Sequence, residues 1–203
     1  MSPHLDLTAP YAPLVHRIET EAAVEGGEIL RIDHFLNHRI EPGFLFELGH
    51  ELARRLSFFQ PNIVLTAEAS GIAPALVVAQ TLSVPLVYAK KYSAQVEPPA
   101  ISRLIPSPTK GGEIRLVLST RYIKPGQRVV IVDDFLANGR TAMALIEMAR
   151  EAGAEVMGTG FVVEKRFKQG REHLQALRVP VSTLAQVERL ENDKAILTQP
   201  GKA

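Results

Sequence analysis

Two rhythms of apolar and polar residues alternate along the chain. Residues 129–132, VVIV, are apolar without a break, the pattern of a strand covered on both faces. They run into Asp133 and Asp134, then into FLANGRT. From Ala142 to Ala152 the apolar residues Met143, Leu145, Ile146 and Met148 return mostly at helical spacing, and Gly153 supplies a stop. Other segments read in the same way. APYAPLVHRIETEAA predicts an amphipathic helix ended by Gly26 and Gly27, followed by a short extended EILRID. EPGFLFELGHELARRL predicts a second helix, with Leu45, Leu48, Leu52 and Leu56 on one face and Pro42 near its start. NIVLTAEA and PLVYAKK predict buried strands with a helix from about Pro74 to Leu82 between them, a βαβ unit. EIRLVLS and RVVIVDD are further strands, joined through a turn at Pro125 and Gly126. EVMGTGFVVEK, a short helical REHLQAL, VPVSTLA and a weak KAILTQ complete the series. This alternation predicts one α/β domain over residues 1–203, with a mostly parallel central sheet flanked by helices.

One segment has no period. Residues 92–112, YSAQVEPPAISRLIPSPTKGG, hold four prolines and two adjacent glycines and read as a long loop, a candidate lid in which Tyr92, Ser93 and Arg103 would close over a substrate. Residues 70–89 carry no charge over a membrane-spanning length, but Pro74, Pro85, Gln80, Thr81 and two serines interrupt them, so they read as α/β core.

Composition narrows the function classes. The 203 residues carry a net charge of +1, which excludes nucleic-acid binding through overall charge and makes any anion site local. The absence of cysteine excludes disulfides and thiolate chemistry and is consistent with a reducing cytoplasm. MSPHLDLTAPYAP lacks the basic start and apolar run of a signal peptide.

The chemistry concentrates after VVIV. A loop between a strand's carboxyl end and a helix is where doubly wound α/β proteins bind ligands. The helix start offers unpaired N–H groups to a phosphate. Gly139 permits close approach there, and Asn138 and Thr141 add donors. Asp133 and Asp134 would repel a phosphate but accept hydrogen bonds from vicinal hydroxyls. A sugar phosphate satisfies both halves of the site.

DDFLANGRT resembles the phosphoribosyl-pyrophosphate (PRPP) signature of type I phosphoribosyltransferases. Taken with DHFLNH and VVEKRF, it is similar to the bacterial xanthine-specific branch of that family. The resemblance runs from about Leu30 to the final strand. It implies the family fold, with a small hood over the base site built from residues 28–40 and a C-terminal part. Ala137, Asn138, Gly139, Arg140 and Thr141 would hold the 5'-phosphate of PRPP, and Asp133 and Asp134 the ribose. A Gln-Ala pair is more usual in this branch where Arg140 and Thr141 stand. The hypoxanthine-guanine branch carries an acid at the position of Ala137, which this chain lacks. Glu68, Ala69, Ser70 and Gly71 match the pyrophosphate loop, with Lys90 and Lys91 to neutralise the leaving group and Mg²⁺ carried by the pyrophosphate, without a metal site of the protein's own. Lys165, Leu30 and Asn37 would contact xanthine, and Phe167 or Phe35 could stack on it. His34 and His38 would flank the hood without binding metal.

The implied activity is transfer of the phosphoribosyl group from PRPP to xanthine, giving xanthosine 5'-monophosphate and pyrophosphate, in a cytoplasmic homodimer with no nucleic-acid or membrane partner. Alternatives are an adenine-type transferase and a non-catalytic PRPP-sensing regulator. A regulator would call for an added helix-turn-helix module, and the residues before the first core strand hold the hood instead. A phosphoacceptor receiver domain fails because the only aspartate after Asp134 is Asp193.

Overall fold

The computed structural model describes residues 6–92, 98–106 and 112–201. Helix α1, Ala12–Glu21, leads into a two-stranded hairpin of β1, Ala23–Glu25, and β2, Ile29–Arg31. Gly26 and Gly27 were expected to end the helix. They form the hairpin turn instead, at φ 58° and 71°, and α1 stops earlier, where Ala22 turns extended. Helix α2, Pro42–Leu56, buries the four predicted leucines, each worth about 1.5–3 kcal/mol relative to exposure.

The main sheet follows. In chain order come β3 (Ile63–Ala67), α3 (Ile72–Leu82), β4 (Leu86–Tyr92), β5 (Ala100–Pro106), β6 (Glu113–Ser119) and β7 (Arg128–Leu136). Then come α4 (Arg140–Glu151), β8 (Glu155–Lys165), α5 (Gly170–Ala176), β9 (Val181–Glu191) and β10 (Lys194–Leu197). The eight strands lie in the order β10-β9-β8-β7-β3-β4-β6-β5. The central ones, β9, β8, β7, β3 and β4, are parallel, whereas β10, β6 and β5 join antiparallel at the flanks.

The unbroken apolar runs have a plain cause: both faces of the central strands are covered. Val130 and Val132 pack with α1, α2 and α3 in one core. Val129 and Ile131 pack with α4 and Leu174 of α5 in the other. From β3 the chain steps outward through α3 to β4; from β7 it steps the opposite way through α4 to β8 and β9. The β3–β7 junction is therefore the point where strand order reverses, and the crevice beyond the strand ends there is the expected ligand position.

The reading of 92–112 as one irregular loop is corrected. Residues 100–106 are a strand, paired along its length with β6 from Ala100↔Ser119 to Pro106↔Glu113. Four prolines hid it, because an edge strand tolerates residues that cannot donate to a ladder. Arg103, assigned there to a closing lid, is held by Glu147 at 3.0 Å and Glu151 at 2.5 Å on α4. Ser93 and the side chain of Tyr92 lie outside the described atoms. No helix among the described residues is long and apolar enough to cross a membrane, and residues 70–89 are α3 and β4, as read.

Candidate active site

A cleft of about 460 Å³ opens where β3 and β7 end side by side, and it is lined from both. β7 contributes Asp133, Asp134 and Phe135, followed by all five residues of the loop Ala137–Thr141. β3 and the turn after it contribute Ala67, Glu68 and Ser70, and β4 contributes Lys91. The acid pair and the phosphate loop predicted from sequence therefore share one cavity with Glu68 and Ser70, half of the predicted pyrophosphate turn.

The loop is built to leave amides open. Gly139 caps α4 at φ 72°, a left-handed conformation that favours glycine. No side chain caps the helix, so the N–H groups of its first turn remain available to an anion. On the opposite wall the Glu68–Ala69 peptide is cis. Gly71 caps α3, again without a side-chain bond. Gly71 has no room for a side chain: a Cβ there would meet Asp133 Oδ1 at 2.4 Å and Thr66 Oγ1 at 2.3 Å. The bare backbone after β3 thus packs directly on the first acid. Glu68 Oε1 accepts the Lys91 amide at 2.6 Å, tying the turn to β4.

The two acids differ in their surroundings. Asp134 is 7 % exposed; its Oδ1 accepts the Phe135 amide at 2.9 Å and its Oδ2 accepts Asn37 Nδ2 at 2.9 Å. Asp133 Oδ1 accepts the Asp134 amide at 2.9 Å. Burial, followed by the neighbouring Asp134 charge, raises the Asp133 pKa well above the ordinary aspartate value, against the opposing pull of the Asp134 amide and Lys91. A like charge held this close in a buried place disfavours ionisation of Asp133, and the Asp134 amide and Lys91 offset this only in part.

The other predicted residues divide. Asn37, far away in sequence, is brought onto Asp134, so the hood segment touches the acid pair. Lys165 ends β8, with its ammonium 5.5 Å from the centroid of the Phe135 ring. Its pKa is lowered, chiefly by burial and then by Lys168. Leu30 is buried in the apolar core, not in the wall of the cleft. Lys90 is exposed, does not line the cleft, and lies 6.0 Å from the Tyr88 ring centroid. Phe35 is 1 % exposed, edge-on to Phe44 and covered by the Arg17 guanidinium at 4.5 Å; it is core and cannot stack on a ligand. Phe167 is partly exposed, with the Lys168 ammonium 5.5 Å from its ring. His34 and His38 face Glu21 and Asp33.

Sequence reasoning missed Phe135, which with Phe161 supplies aromatic surface in the wall of the cleft. Its position two residues beyond Asp133 was the available signal, since strand side chains at that spacing share a face.

The comparisons with known proteins agree with this geometry. Residues 44–189 match the phosphoribosyl transferase domain family. A xanthine phosphoribosyltransferase of Chloroflexus aurantiacus is 51% identical over 191 residues, covering 94% of this chain and 90% of that one. One from Deinococcus deserti is 42% identical over 93% of this chain and 98% of its own length. Among solved structures, an adenine phosphoribosyltransferase of Rhodothermus marinus superposes with a TM-score of 0.69 at 28% identity, covering 87% of this chain and 99% of that one. Because the domain match spans both walls of the cleft, and because relatives above 40% identity extend over nearly the whole length, the chain belongs to the phosphoribosyltransferase family.

Proposed function

We propose that the chain transfers the 5-phosphoribosyl group of PRPP to xanthine, releasing pyrophosphate and forming xanthosine 5'-monophosphate. The observation that carries this reading is the facing of Asp133 and Asp134 by an uncapped glycine loop and a second bare-backbone turn in one cleft. The loop amides hold the 5'-phosphate, the acids accept the ribose hydroxyls, and the turn at Glu68–Gly71 with Lys91 receives the leaving pyrophosphate. Positive charge develops on the ribose ring and negative charge on the departing group, so the site acts through positioning and electrostatic stabilisation. No general acid or base is assigned.

Mg²⁺ fits this site as an ion brought by the substrate. Among the described residues no three His, Cys, Asp or Glu side chains gather to hold one, while a hard cation of this size binds through substrate phosphates with one or two carboxylates. The raised pKa of Asp133 marks a place where added positive charge is favourable. When bound, the ion neutralises charge on the pyrophosphate oxygens.

A half-buried Lys165 donor favours a base with a carbonyl oxygen over adenine, whose amino group needs an acceptor. Relatives named for xanthine support the same choice. Assembly as a homodimer in the cytoplasm belongs to this proposal, and light scattering on the purified protein reads the first part. The activity is tested by incubating the protein with Mg²⁺, PRPP and each of xanthine, guanine, hypoxanthine and adenine. Fastest nucleotide formation from xanthine is expected; preferential turnover of adenine, or no turnover at all, defeats the reading.

A further inference from the structure

A buried ion pair outside the cleft is not used by the reaction as described above. Glu164, 1 % exposed, sits next to Lys165 near the end of β8. Arg171 of α5 grips it with two nitrogens, Nε at 2.7 Å from Oε1 and Nη2 on Oε2. The Thr183 hydroxyl donates to Glu164 at 3.3 Å and accepts from Gln186 Nε2 at 2.6 Å. Arg166 adds a looser contact at 3.6 Å. Placing a carboxylate where water cannot reach it costs several kcal/mol before any pairing, and a fork-on-fork pair fixes geometry as well as charge.

The same first turn of this short helix rests on the proposed phosphate loop. The Gly170 amide donates to the Ala137 carbonyl at 2.9 Å. The contact is backbone on backbone: a Cβ on Gly170 would meet the Ala137 oxygen at 2.3 Å, and one on Gly139 would meet Gly170 Cα at 3.1 Å. His173 Nδ1 lies 3.1 Å from the Asn138 carbonyl. One seven-residue helix is therefore clamped at Arg171 to the strand that ends in Lys165 and seated at Gly170 on the loop of Ala137, Asn138 and Gly139.

We infer that Arg171 is a positioning residue: through its pair with Glu164 it holds α5, and through Gly170 it holds the phosphate loop, so that the seat of the sugar phosphate and the strand end carrying Lys165 keep a fixed separation. Arg171 need not touch either substrate to do this. The inference rests on the proposed function for what the loop binds. Its cause is geometric, because a reaction between two bound molecules loses rate steeply when their seats drift by an ångström. The pair also explains why a charged couple is kept where apolar residues of equal volume would often be as stable: orientation is what the guanidinium fork supplies.

The test is calorimetric titration of ribose 5-phosphate into wild type, Arg171→Lys and Gly170→Ala. Lysine keeps the charge and loses the fork; alanine keeps the ion pair and presses a methyl on the loop carbonyl. Both variants should bind ribose 5-phosphate about tenfold or more weakly, the scale of one or two lost charge-assisted hydrogen bonds. The KM for PRPP should rise with it, while circular dichroism and the unfolding transition still report a folded chain. A merely structural role would lower the unfolding temperature and leave the affinity of the folded fraction unchanged. Should either folded variant bind ribose 5-phosphate as wild type does, the inference is overturned. Failure of wild type to bind this probe overturns the proposed function instead, so the two failures are distinguishable.

Discussion

At the scale of single residues, the site works by giving like groups unlike surroundings. Asp134 has its oxygens occupied by the Phe135 amide and Asn37, whereas Asp133 sits against it with its pKa driven upward by burial and by that neighbour. Because the folded-state pKa of Asp133 lies above its unfolded value, the folded chain binds this proton more tightly. The resulting stabilisation is fully present below the ordinary aspartate pKa and is lost as pH rises through the raised value. Thermal melts of the unliganded protein between about pH 4 and 8 should accordingly show Asp133→Asn melting higher than wild type at the upper end and with a flatter pH profile. Parallel profiles for the two proteins contradict this account of Asp133. Lys165 gives a complementary expectation. On the proposed function Lys165 donates to the base and to no part of PRPP, so Lys165→Met, which removes that half-buried donor, should raise the KM for xanthine about tenfold to a hundredfold. The Kd for PRPP should stay within about twofold, as befits a residue outside the phosphate loop. The doubled acid, the glycine and the terminal lysine could all be read from the chain. The bond from Asn37 to Asp134 could not, because it joins positions 97 apart and no local pattern encodes it.

Elements were legible in proportion to how strongly burial enforces their period. β7 and α4 were readable because their apolar residues are sealed on both sides of the sheet or along one stripe, with Leu145, Ile146 and Met148 of α4 at 0 % exposure. β5 was not readable: its pairing is backbone to backbone at the sheet's flank, and its burial pattern is mostly partial or exposed. The glycine pair at 26 and 27 misled for a related reason, since a positive φ serves a helix end and a hairpin turn equally well. The turn into α4 makes the most direct prediction at this scale. Gly139→Ala places a side chain at φ 72° and a methyl 3.1 Å from Gly170 Cα. Left-handed backbone costs about 1–2 kcal/mol for a residue with a Cβ, so urea unfolding should show a loss of at least about that size. On the proposed function the same variant should bind ribose 5-phosphate more weakly, because the strained turn carries the amides assigned to its phosphate. A substitution here that leaves both stability and affinity intact would show that the loop is not the phosphate seat.

At the scale of the whole molecule, the reversal of strand order between β3 and β7 brings the two cleft-lining turns together. The chain supplies βαβ units; the opposite directions taken after β3 and β7 turn two unrelated strand ends into one cleft. The sequence alternation pointed to a mostly parallel sheet but carried no information on which strands neighbour one another, nor on the antiparallel flanks, since those depend on packing between segments far apart in the chain. The account stands or falls on the claim that the acid pair and the α4 loop grip a single phosphorylated pentose. The most direct measurement is a nuclear magnetic resonance titration of ribose 5-phosphate into isotopically labelled protein, read residue by residue. The expected result is that the largest amide shifts fall on residues 137–142 with accompanying shifts at 133–135, and that Asp134→Ala weakens them. Shifts centred on any other part of the surface, with those amides unmoved, would contradict it.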